Sequence, residues 1–141
     1  MQRKLENVII GSLLMGTMVL FSAWTINLGD QSNGGAWKAP ATSAKIVNPL
    51  KGDEAATAKG KKLYKQMCVI CHGEKGKGDG MAGASLNPRP ANFTTAAVQN
   101  QKDGEIFWKL TEGRAPMASY KAILKENQRW ELINYIRTLK K

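Results

Sequence analysis

Apolar positions follow different rules in successive parts of the chain. No charged residue occurs between Glu6 and Asp30, and Val8 to Leu28 (VIIGSLLMGTMVLFSAWTINL) is apolar almost throughout. As a helix these 21 residues measure about 31 Å at ~1.5 Å per residue, enough to cross a hydrocarbon layer of ~30 Å. From Gly29 to Lys51 the pattern vanishes. Gly34-Gly35, Pro40 and Pro49 interrupt a stretch with neither helical nor alternating period, which reads as a linker. Beyond Gly52 the helical period returns. Ala56, Gly60, Leu63, Tyr64 and Met67 recur at spacings of three and four, with Lys59, Lys61, Lys62 and Lys65 opposite them. A second helix runs through Ile106, Phe107 and Leu110, with Asp103 expected as its N-cap and Gly113 closing it. The last helix, from about Glu126 to Lys140, carries Trp130, Ile133, Ile136 and Leu139, with Leu132 and Tyr135 beside them. Residues 72–92 are rich in glycine and proline and read as a loop. No alternating segment is long enough for a sheet, so the domain is expected to be all-α. The pattern divides the chain into 1–28, a membrane segment; 29–51, a linker; and 52–141, a folded domain.

The apolar run is either a cleaved signal or a retained anchor. A cleavable apolar region spans roughly 7–15 residues and ends in a small-x-small site. Here the exit reads Leu20-Phe21-Ser22-Ala23-Trp24, and Phe21 is too large for that site. No cysteine follows to take a lipid. The run therefore points to a retained single transmembrane helix. Arg3 and Lys4 before it place the N-terminus in the cytoplasm and the rest across the membrane, on the periplasmic side of a bacterial inner membrane. Trp37 is unusual in a flexible tether and suits a contact with a partner or with the membrane interface.

Charge narrows the partners. The chain has 21 Lys+Arg against 11 Asp+Glu, a formal +10. From Gly52 onward there are 16 basic and 9 acidic residues, leaving +7 on the domain. Such a surface attracts an anionic partner. No long basic run with interleaved aromatics occurs, which argues against nucleic acid. An acidic patch on a partner protein fits better.

The scarcest residues are the most informative. With two cysteines and one histidine in 141 residues, a four-ligand structural zinc site is out of reach, and so is a disulfide-rich scaffold. All three stand together as Cys68-Val69-Ile70-Cys71-His72, directly after the lysine-flanked helix. C-x-x-C-H is the spacing of c-type haem attachment: two thiols one turn apart meet two vinyl groups, and the adjacent imidazole reaches the iron. A thioredoxin-like pair would sit in a βαβ context, which is missing here. A small all-α domain also gains from a haem as part of its core.

With the histidine used, the second axial position falls to a methionine or a lysine, or stays open. Met1, Met15 and Met18 lie in or before the apolar run, and Met67 adjoins Cys68. Met81 follows His72 by nine residues, too close to reach the other face. Met117, 45 residues after His72, lies in a loop that Gly113 and Pro116 keep from being helical. The expected iron ligands are His72 and Met117, and the expected haem-binding residues are Cys68, Cys71, His72 and Met117.

C-V-I-C-H after a helix carrying Gly60 and Tyr64, a methionine in a late loop, and a final helix with Leu132 and Tyr135 resemble the class I c-type cytochromes. The resemblance covers about residues 53 to 140 and implies that Gly60 and Tyr64 meet Leu132 and Tyr135. It also implies that Pro88 or Pro90, in LNPRPANF, offers its carbonyl to the His72 N–H. DGEIFWKLTEGRAPMASYK resembles mono-haem cytochrome subunits of bacterial respiratory complexes such as alternative complex III.

Together these features imply an electron-transfer protein that holds one covalent haem c and has no enzyme activity of its own. Imidazole and thioether fill the iron's axial positions, leaving none for a small-molecule substrate. Val69, Ile70 and residues 115–117 would border the haem edge, among lysines such as Lys75, Lys77 and Lys121. The competing expectation is a haem-based gas sensor or ligand-binding module with a displaceable Met117. Carrier and fixed subunit are equally compatible with the sequence.

Overall fold

The structure is a computed structural model and describes residues 37–141. The expected membrane segment and the first part of the expected linker lie outside the described residues. Among the described residues no helix is long and apolar enough to cross a membrane.

The element order is α1 (Glu54–Met67), α2 (Val69–His72), α3 (Ala96–Gln99), α4 (Asp103–Glu112) and α5 (Glu126–Thr138). Two 3-10 turns, Ala41–Lys45 and Gly83–Ser85, complete the described part. The described domain is thus all-α, with one isolated antiparallel bridge between Arg114 and Met117.

Helix α1 starts where the Asp53 carboxylate accepts the Ala56 N–H at 2.9 Å. Its Ala56, Gly60 and Tyr64 stripe is buried and faces α5. Gly60 is what lets the two backbones touch: a Cβ there would lie 1.9 Å from the Glu131 carbonyl oxygen. One turn on, the Tyr64 and Tyr135 rings pack at 5.0 Å between centroids, and Leu132 is 1% exposed. The contact implied by resemblance is present. Gly60→Ala is expected to force α1 and α5 apart at a cost of about 1–3 kcal/mol, read as an earlier denaturant midpoint with an unchanged slope.

Helix α5 is central. Five consecutive residues, Leu132 to Ile136, are buried because α1 covers one side and α4 the other. Two apolar clusters result. One gathers Tyr64, Cys68, Leu110, Leu124, Leu132 and Tyr135; the other gathers Val98, Ile106, Phe107, Trp130 and Ile133, and Phe93 packs against both. Trp130 stacks on Phe107 at 3.9 Å and 14°.

Two expectations need correction. Asp103 is the first residue of α4 and not its N-cap. Lys102 holds the cap position, and its N–H donates to the Glu105 carboxylate at 2.6 Å. The Asp103 carboxylate is taken by tertiary partners, Arg137 at 2.7 Å and the Asn48 amide at 2.9 Å. The second concerns the linker. Its described part, residues 37–51, is laid against the domain. Ser43 and Asn48 are buried, and the Asn48 amide also donates to Asn134 Oδ1 at 2.9 Å. Asn134 in turn donates to the Leu50 carbonyl. A buried amide network of this kind holds the segment without any apolar period.

Candidate haem site

Cys68 ends α1, its N–H donating to the Tyr64 carbonyl at 2.8 Å. The chain then makes one further helical turn, with the His72 N–H on the Cys68 carbonyl at 2.8 Å and the Gly73 N–H on the Val69 carbonyl at 2.8 Å. That turn sets Cys68 and Cys71 one revolution apart and presents His72 next to them. Both cysteines are free thiols, Cys68 buried and Cys71 half-buried. Burial, with Cys71 adding to it, pushes the Cys68 thiol up to about 12.

His72 is buried and doubly fixed. Its ring stacks on Phe93 at 4.3 Å and 15°, and Nδ1 lies 3.2 Å from the Ala91 carbonyl oxygen. With Nδ1–H donating there, Nε2 keeps its lone pair for a metal. Burial pushes the imidazole below its ordinary range, against the opposing effect of the Ala91 bond, so the ring is a neutral ligand at neutral pH. The acceptor is thus neither Pro88 nor Pro90 but the residue following Pro90. The carbonyl that turns toward His72 is that of Ala91.

The loop after His72 hangs on the carbonyls of this same turn. Gly78 N–H bonds to His72, Gly80 N–H to Cys71 and Ala82 N–H to Ile70, at 2.9, 3.2 and 2.9 Å. Tyr64 ties α1 to it, its hydroxyl donating to the Gly73 carbonyl at 2.8 Å. Burial, above all, pushes that phenol up, so it stays a donor.

Met117 enters from the other end of the sequence. Helix α4 closes at Gly113, whose φ of 67° suits glycine, and Arg114 and Met117 then exchange two backbone hydrogen bonds of 3.0 and 2.8 Å. Ser119 Oγ donates to the Thr111 carbonyl at 2.6 Å and the Tyr120 N–H to Leu110 at 3.1 Å, fixing the far side. The half-buried Met117 packs against the cluster that contains Cys68, together with Val69 and Tyr120. Met81 is 83% exposed. The fold therefore gathers Cys68 and Met117 into one apolar cluster and joins His72 to it through Phe93, while Met81 stays outside.

Phe93, Ala91 and Tyr120 were not singled out in the sequence. Phe93 stands two residues beyond Ala91 in the proline stretch, which was the available signal. Burial pushes the Tyr120 phenol up, and its ring packs against the cluster that contains Cys68.

Residues 55–136 match the model of the family described as cytochrome c oxidase, cbb3-type, subunit III. The chain belongs to this family of class I c-type cytochromes. Among solved structures it is similar to a chain of the Kuenenia stuttgartiensis reducing HAO-like protein complex, with 28% identity and a TM-score of 0.61. That match covers 70% of this chain and 49% of the other, so the cytochrome spans about half the length of its relative. It shares its fold with cytochrome cL from Methylophaga aminisulfidivorans, at 19% identity and TM-score 0.53, covering 65% of this chain and 58% of that one. The same holds for cytochrome cL from Hyphomicrobium denitrificans, at 22% identity and TM-score 0.50, covering 73% and 64%. No curated protein matches the chain.

By its family the cytochrome carries covalently bound haem c. Its donor set fits that group: two unpaired thiols one turn apart, an imidazole with Nε2 kept free, and a thioether in the same apolar cluster.

Proposed function

We propose that the protein is a membrane-anchored mono-haem cytochrome passing single electrons in a bacterial respiratory chain, between a quinol-oxidising complex and a terminal oxidase. In this reading Cys68 and Cys71 hold the haem, His72 and Met117 ligate the iron, and the domain lies on the periplasmic side, anchored by Val8–Leu28. The observation that carries it is the convergence of the C-x-x-C-H turn and the Met117 loop on one apolar cluster. A bound haem supplies one Fe(III)/Fe(II) couple, whose potential a histidine–methionine pair raises. The chain's own part is to orient His72 through Ala91 and Phe93, to keep water from the cluster, and to present an edge.

That edge is recognisable. Ile70 is 49% and Met81 83% exposed, and the Ala82 N–H bonds to the Ile70 carbonyl, so both stand together beside Cys71. Exposed Lys75 and Lys77 follow in the same loop. An apolar tip with cations near it suits an acidic redox partner, the apolar part holding contact and the lysines steering approach. Membership of the similar Kuenenia chain in a protein complex supports a protein partner.

Residues 37–51 are held by the Asn48–Asp103–Asn134 network, so a 23-residue coil is not what tethers the domain. Deleting residues 1–28 behind a cleavable signal is expected to leave the haem spectrum and potential intact. Turnover with native membranes should fall at low protein concentration and recover as soluble domain is added. If no concentration restores it, the protein is a fixed subunit and the tethered-carrier form of the reading is wrong.

A further inference from the structure

Trp37 is half-buried, although it belongs to the stretch expected to be a tether. Its ring tilts against Trp108 of α4, with centroids 6.2 Å apart at 60°. Two cations lie over the ring: the Arg114 guanidinium carbon is 5.1 Å from the centroid and Lys109 Nζ 5.8 Å. The Lys109 ammonium is pushed down by burial, against the effect of Glu105, and Arg114 adds to the depression. The two positive charges are therefore close enough to repel each other, and the electron-rich ring that both approach offsets that repulsion.

Arg114 is one end of the turn that carries Met117. Its N–H donates to the Met117 carbonyl at 3.0 Å, and its carbonyl accepts the Met117 N–H at 2.8 Å. Ala115 and Pro116, between them, are exposed. Contacts thus run without a gap from the Trp37 ring to the Arg114 guanidinium, along the Arg114 backbone, and to the Met117 backbone. If Trp37 only covered Trp108, neither cation would need to lie on its ring.

The geometry points to Trp37 as a positioning residue for Met117: by holding the Arg114 guanidinium on its ring, it restrains the 114–117 turn and so stabilises the methionine as axial ligand. This rests on the reading of Met117 as the iron's second ligand.

The test uses the haem-loaded, full-length ferric protein titrated with imidazole, followed by the Soret shift, which imidazole binding gives with or without Met117, and, where Met117 is present, by loss of the red sulfur-to-iron charge-transfer band. Imidazole binds only when Met117 has let go, so its apparent affinity follows the open fraction. Trp37→Ala is expected to raise that affinity about fivefold, which corresponds to ~1 kcal/mol at ~1.4 kcal/mol per decade. Trp37→Phe, which keeps a ring, should stay within about twofold of the unmodified protein. Arg114→Gln leaves the Trp37–Trp108 packing in place and should give the same rise as Trp37→Ala, which keeps the inference testable if Trp37→Ala does not fold. In a Met117→Ala background neither substitution should change the affinity, because there is no methionine left to position.

Equal effects in both backgrounds would mean that Trp37 only stabilises the fold generally, and would overturn the inference. So would an unchanged affinity in Arg114→Gln. If Met117→Ala alone changes neither band nor affinity, the ligand assignment itself has failed and the inference falls with it.

Discussion

Met117→Ala in the haem-loaded protein will remove the red charge-transfer band, lower the reduction potential and let carbon monoxide bind the ferrous iron. A thioether stabilises ferrous iron, and losing it should shift the potential down by roughly 0.2 V, within the ~0.8 V that axial ligands span. Met81→Ala should change none of these, because that side chain is 83% exposed and stands outside the cluster around Cys68. Spectroelectrochemistry on the two variants checks the pair directly. The reverse pattern would show that the structure's placement of Met117 is irrelevant to the iron.

Replacing Cys68 and Cys71 together by serine will leave no haem attached after denaturation, and the apo-chain will lose cooperative unfolding. The reason lies in the packing. Cys68 belongs to the same cluster as Tyr64, Leu110, Leu124, Leu132 and Tyr135. A domain of this size holds a margin of only ~5–15 kcal/mol, and a large apolar group missing from its core takes most of that away. His72→Ala should act in the same direction, because it removes the ring stacked on Phe93 and held by Ala91. Haem stain after denaturing electrophoresis reads the attachment, and circular dichroism against denaturant reads the folding. A cooperative, well-folded apo-protein would contradict the view that the cofactor completes the core.

The sequence was most legible where chemistry or periodicity constrains it tightly. The three lysine-flanked or apolar helices came from spacings that survive any tertiary context, and α1, α4 and α5 start within a residue or two of expectation. C-x-x-C-H was legible because covalent attachment dictates the spacing. What could not be read is held by backbone and polar groups. The acceptor for His72 is a backbone carbonyl, and a carbonyl's direction at Ala91 depends on how two prolines steer the chain, which composition does not encode. Residues 37–51 lack any period because Asn48 and Ser43 anchor them through hydrogen bonds, so the stretch looks like a linker until Asp103 and Asn134 are brought to it. Asp103 has a strong capping propensity, yet Arg137 takes its carboxylate, and tertiary pairing overrides the local preference. Trp37 was the one signal of order in that stretch. Its partner is Trp108 of the same chain.

Whether the protein moves electrons or binds a ligand turns on one position of the iron. Ferrous wild-type protein, exposed to carbon monoxide at neutral pH, puts that question most directly. If His72 and Met117 fill both axial positions, the visible spectrum will stay that of the ligand-free ferrous protein over the same range of gas that converts Met117→Ala completely. A wild-type spectrum that converts as readily as the variant's would show an open or weakly held site, and the gas-binding module would then be the better account.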